Sequence, residues 1–151
     1  MAPVDNWTWG LSLIALTIAI HAFGVVAMGL VLHRIWLRVS SRRLGLRHVF
    51  AILIGLIGTV GLILAVLHGI EAGLWALAYW WLGAIVSPEA AMLYSIDSIT
   101  TRGASGLALP AHWRTMGALE AVDGMLLFGI STAFIFAVMQ TYWPILTTRR
   151  S

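Results

Sequence analysis

At 151 residues, 60% hydrophobic and 10% charged, with a mean hydropathy of +0.93, the chain falls well short of the charged share of a water-soluble domain, about 25%. That excludes a soluble globular protein and leaves an integral membrane protein, long enough for three or four membrane helices and too short for an added soluble domain. The absence of cysteine excludes a disulfide scaffold and thiolate metal sites, and the nine basic residues, all arginine, sit mainly at the ends of apolar stretches, which points to orientation in a membrane rather than to nucleic acid.

The first predicted span covers residues 7–33. Trp7 and Trp9 suit one interface, and Arg34 closes the other end. No signal peptide is read here: no basic residue precedes Trp7, and the apolar run is too long for an h-region. Arg34, Arg38, Arg42, Arg43 and Arg47 then fall in one short segment. The second apolar stretch, residues 49–82, exceeds the roughly 20 residues that one crossing needs. The crossing is assigned to 49–70. The rest, with Trp75, Tyr79, Trp80 and Trp81, is assigned to a continuation into the interface. Gly55, Gly58 and Gly61 recur every three residues, a pattern for packing against another helix. The third span covers 113–142, where Trp143 and Pro144 stop it. The positive-inside rule makes the 34–47 loop cytoplasmic, the N-terminus external, and the C-terminus, with Arg149 and Arg150, internal. The arginine loop also suits contact with anionic lipid headgroups.

Between the second and third spans lies an odd segment. Pro88 and Glu89 open a short helix that reaches about Ile99, too short to span. It breaks into Thr100, Thr101, Arg102, Gly103, Ala104, Ser105 and Gly106. Two arrangements fit: a re-entrant loop buried in protein or lining water, and an amphipathic helix lying flat at the surface.

From Pro88 to about Val138 the sequence resembles the pore module of bacterial potassium channels. Filters of that family usually read T-T-V/L/I-G-Y-G-D, after a pore helix with an aromatic, a serine and often an acid. Here Tyr94, Ser95 and Asp97 hold those places, Thr100 and Thr101 match the threonines, and Gly103 the first glycine. Arg114, Gly124 and Gly129 have the spacing of an arginine, a hinge glycine and a second glycine on the family's inner helix. The resemblance implies an all-α membrane protein with three transmembrane helices, a re-entrant pore helix and a filter-like loop between the second and third, and a tetrameric pore. Residues 1–48 then form an extra helix and basic loop, 49–143 the pore module, and 144–151 a short cytoplasmic tail. It further implies an ion channel of the inner membrane, conducting monovalent cations with altered or weak selectivity, with no other cofactor, working as a homotetramer.

The departures keep other readings open. Ser105 replaces the second glycine where a left-handed backbone is needed, Ala104 the wedging tyrosine, and Gly106 the outer aspartate. Arg102 replaces an apolar residue. It either forms a buried pair with Asp97, with Glu71 and Glu120 as fallback partners, or turns into the pore and favours anions, or snorkels to the interface. The alternatives to a cation channel are therefore a non-conducting structural or signalling relative, and an anion pathway ringed by Arg102. Nothing in the sequence supports an enzyme.

Glu120 and Asp123 lie three residues apart on the third span and are read as a ring of acids near the pore, or as capping and pairing groups. Gly124 and Gly129 serve as a hinge or allow close packing. A haem held by His21 and His68 is disfavoured by depth: counted from Arg34 and the loop, they lie roughly 20 Å and 30 Å from the inner edge at 1.5 Å per residue. His68 and Glu71 have ligand-like spacing, but two ligands do not make a metal site, and none is assigned.

Overall fold

In a computed structural model, residues 3–40, 46–103 and 106–148 are described, with side chains over 6–37, 47–103 and 106–141. Four helices follow in order: α1 (Pro3–Ser40), α2 (Leu46–Trp81), α3 (Pro88–Ile99) and α4 (Arg114–Thr148), the last entered through a 3-10 turn at Ala111–Trp113. No strand occurs among the described residues. Segments Asn6–Leu37, Arg47–Trp81 and Ala111–Thr141 are long and apolar enough to cross a membrane. The chain is an all-helical, multi-pass membrane protein.

Two of the long helices, α1 and α4, overrun their predicted ends. α1 continues past Arg34 to Ser40, and α4 passes through Trp143 and Pro144 to Thr148. A charge does not end a helix, and a proline removes one ladder bond without obliging the chain to stop. α2 is one unbroken helix of 36 residues, about 54 Å at 1.5 Å per residue. Its last turns bury one face in the protein: Trp75 and Tyr79 are fully buried, while Trp80 and Trp81 are exposed. A side-chain carbon added at Gly55, Gly58 or Gly61 would face open space among the described residues, so none of the three is needed for a close approach of helices within this chain.

α3 packs between the C-terminal half of α2 and the N-terminal half of α4, and α1 packs mainly on α4. Its start follows from sequence. Ser87 is the N-cap, accepting a bond from the Ala90 N–H at 3.0 Å, and Pro88 stands where no N–H is needed. Glu89 lies exposed in that first turn; its own backbone N–H and the Ser87 hydroxyl hold its carboxyl below the usual range.

The interior is layered. One apolar cluster, including Leu13, Trp75, Tyr79, Trp113 and Met116, lies at the α3 end of the bundle. Another, of Met28, Leu32, Val60, Leu64 and Val138, lies at the other end. Between them sit buried polar groups from three helices: Thr17 and His21, Glu71, and Asp123 and Ser131. Phe23, Ile54 and Leu62 point outward, 78%, 69% and 67% exposed, as apolar residues do on a lipid-facing surface.

Candidate functional site

The segment that follows α3 is built from the helix end outward. Thr100 is the C-cap, and the next residue, Thr101, takes a left-handed backbone with φ +57°. The N–H of Thr101 donates to the Ser98 carbonyl, and that of Arg102 to the Asp97 carbonyl, both at 2.9 Å. This is a Schellman ending, which usually places glycine where Thr101 stands. The N–H of Gly103 also donates to the Asp97 carbonyl, at 3.3 Å, and Gly103 is left-handed again at φ +82°. Left-handed residues thus alternate at 101 and 103. Gly106, at φ +80°, falls out of that phase. Ala104 and Ser105 lie outside the described residues, so the second-glycine position does too.

Arg102 is tied to Asp97 a second time. Its Nη2 lies 2.9 Å from Oδ1 and 3.2 Å from Oδ2 of Asp97. A pair with Asp97 is one of the three placements left open for Arg102, and the helix ending explains it: the left-handed turn at Thr101 sends Arg102 back over the last turn of α3. The burial is one-sided. The Asp97 side chain is 2% exposed and the Arg102 side chain 64%.

The residues behind the loop dock α3 on α2 and α4. Ser95 Oγ lies 2.7 Å from the Ala72 carbonyl and also contacts Glu120 Oε1. The Tyr79 hydroxyl donates to Glu120 Oε2 at 2.8 Å. Ser98 Oγ donates to the Gly117 carbonyl at 3.0 Å. Tyr94 packs edge-on against Tyr79, and burial pushes its phenol above the usual value. At Gly124 the Ile99 carbonyl presses onto the α4 backbone, so a side chain there would collide with it. Gly124 is therefore a packing glycine. Gly129 has open space where a side chain would go.

Glu120 and Asp123 do not face a surface that other copies could share. Both are fully buried in the chain's own core. Asp123 Oδ2 accepts from Thr17 Oγ1 at 2.7 Å and from Trp75 Nε1 at 2.8 Å. A ring of acids around an axis between chains is thus not formed by these two residues. Their shared helical face was legible, but not its inward direction.

The depth argument that separated His21 from His68 also fails. Their ring centroids are 5.1 Å apart. Measured from the true helix ends, Ser40 and Leu46, the two histidines are nearly level; Arg34 was the wrong datum. Together with Glu71 they form a group whose ligand atoms all lie within 4.8 Å of one another, the one group of metal-ligand geometry among the described residues. Searched against family models, curated proteins and solved structures, the chain matches none of them.

Proposed function

We propose that the chain is one subunit of a homotetrameric, potassium-channel-like membrane protein in which the 100–106 loop forms a cation path of altered selectivity. In this reading the helices lie in the inner membrane with the N-terminus outside, α3 is re-entrant, and residues 49–143 form the pore module. One observation supports it most. The N–H groups of Thr101, Arg102 and Gly103 are all spent on carbonyls of α3. What this backbone can then present outward is oxygen, the group that replaces a cation's hydration shell. The alternating left-handed residues Thr101 and Gly103 are the backbone pattern such a filter needs. The Asp97 carboxylate offsets the Arg102 charge, which lessens its repulsion of cations.

A second reading, a non-conducting scaffold of the same fold, has one observation in its favour. Glu120 and Asp123 are consumed in the core, which removes the acids that would concentrate cations. Current through the purified protein in a planar bilayer under a KCl gradient separates the two, with Arg102→Val measured alongside. A reversal potential near the potassium value is expected. One near the chloride value would turn Arg102 into the path. Silence from both proteins, with oligomers intact, would favour the scaffold.

A further inference from the structure

His21 on α1 and His68 and Glu71 on α2 meet in the polar layer, away from the 100–106 loop. His21 Nδ1 lies 2.8 Å from Glu71 Oε1, and His68 Nδ1 lies 3.1 Å from Glu71 Oε2. On the far side of the rings both Nε2 atoms converge on one hydroxyl, Ser131 Oγ of α4, at 3.1 Å from His21 and 3.0 Å from His68. His21 and Glu71 are fully buried, and the His68 side chain is 12% exposed.

Hydrogens can be counted around this ring of four contacts. With an ionised carboxylate and two neutral imidazoles, three hydrogens are available: one on each ring and one on the serine. One contact must face lone pair to lone pair. In the structure His68 Nδ1 and Glu71 Oε2, both buried, make no hydrogen bond although they are 3.1 Å apart. A cation on the Nδ1 side removes the conflict. Both rings then carry their hydrogen on Nε2 and donate to the two lone pairs of Ser131, while both Nδ1 lone pairs and the carboxylate face the ion.

We propose that His21, His68 and Glu71 bind one divalent transition-metal ion of the zinc class, with Ser131 orienting both imidazoles. Two imidazoles and a carboxylate suit such an ion better than magnesium or calcium, which take oxygen donors. The surrounding charge agrees. Thr17, one turn from His21, and Trp75, one turn from Glu71, both bond Asp123 Oδ2, while Asp123 Oδ1 is buried without a partner. A doubly charged ion here would lie in a layer whose other buried groups include the acid Asp123 and no arginine. The ion would join α1 to α2, with α4 supporting through Ser131, and so fasten the first span to the other helices. This does not depend on whether the loop conducts.

The test uses tag-free full-length protein in detergent, stripped by chelator and titrated with Zn²⁺ by calorimetry and with Co²⁺ by visible absorption. One ion per chain is expected, with cobalt bands of low coordination number. Ser131→Ala should weaken binding 10- to 100-fold, as loss of an orienting partner does, and Glu71→Gln should abolish saturable binding. X-ray absorption of the zinc-loaded native protein should show two imidazoles, a readout that needs no variant to fold. No saturable site in the native protein, equal affinity in Glu71→Gln, or a zinc spectrum without imidazole scattering would each overturn the proposal.

Discussion

The carbonyl of Ile99, the last residue of α3, lies directly against the backbone of α4 at Gly124. A side-chain carbon at Gly124 would stand 2.7 Å from the Ile99 carbonyl carbon and closer still to its oxygen. Backbone cannot swing aside as a side-chain tip can. Gly124→Ala should therefore lift the end of α3 off α4, at a cost of about 1–3 kcal/mol or more, as overpacking does. Thermal unfolding in detergent, followed by circular dichroism, measures it. Gly129→Ala, where space is open, is the control. Equal melting points for the two variants would remove the packing role of Gly124.

The Asp97–Arg102 pair predicts an asymmetry, because only one partner is buried. Arg102→Ala takes a guanidinium away from a buried carboxylate, and truncating one side of a fully buried pair costs about 3–5 kcal/mol. Solvent around Arg102 reduces that to about 1–3 kcal/mol. Asp97→Asn leaves a solvated arginine and should cost less, about 1 kcal/mol. Melting midpoints of the two variants should fall in that order. The reverse order would mean that the acid is held mainly by other contacts.

Much of this site was legible in the sequence, for physical reasons that can be named. The start of α3 was legible in Pro88 and Glu89, because helix-start signals act locally, while the Ser87 cap came only with the structure. The Asp97–Arg102 pair was legible only through the channel resemblance, which puts an acid of the pore helix behind the residue at 102, and the burial expected of the pair holds for the acid alone. The directions of Glu120 and Asp123 were not. Spacing fixes which residues share a helical face, while the rotation of that face is set by packing against three other helices. The His21–His68–Glu71 group was missed because it joins two helices 47 residues apart in sequence, counted from His21 to His68. The ligand-like spacing of His68 and Glu71 was visible, but the signal that adds His21, a similar distance from the facing ends of α1 and α2, was lost when Arg34 was taken as the end of α1.

Thr101 is the one non-glycine residue with positive φ among the described residues, at +57°. A β-branched residue in that region stores about 1–3 kcal/mol of strain. Thr101→Gly releases it but gives the unfolded chain more freedom, worth about 0.4–1 kcal/mol. The net expectation is a gain of about 1 kcal/mol in stability, read as a higher melting midpoint. A lower midpoint would show that the threonine side chain contributes more contact energy than its backbone costs.

The Glu120 contacts can be counted as hydrogens. Ser95 Oγ faces both the Ala72 carbonyl and Glu120, and Tyr79 faces Glu120 from the other side. Serine and tyrosine supply two hydrogens for three contacts. The set closes when Glu120 itself carries a proton, donating to Ser95 Oγ through Oε1 and accepting from Tyr79 at Oε2. Glutamine has the same pattern, with an amide N–H for the acid O–H. Glu120→Gln should then cost under about 1 kcal/mol, whereas Glu120→Leu leaves the buried Tyr79 hydroxyl unpaired and costs about 1–3 kcal/mol. Unfolding midpoints of the two variants decide the matter. If glutamine is as damaging as leucine, Glu120 is a charged carboxylate in the fold, and the serine hydrogen points to it rather than to Ala72.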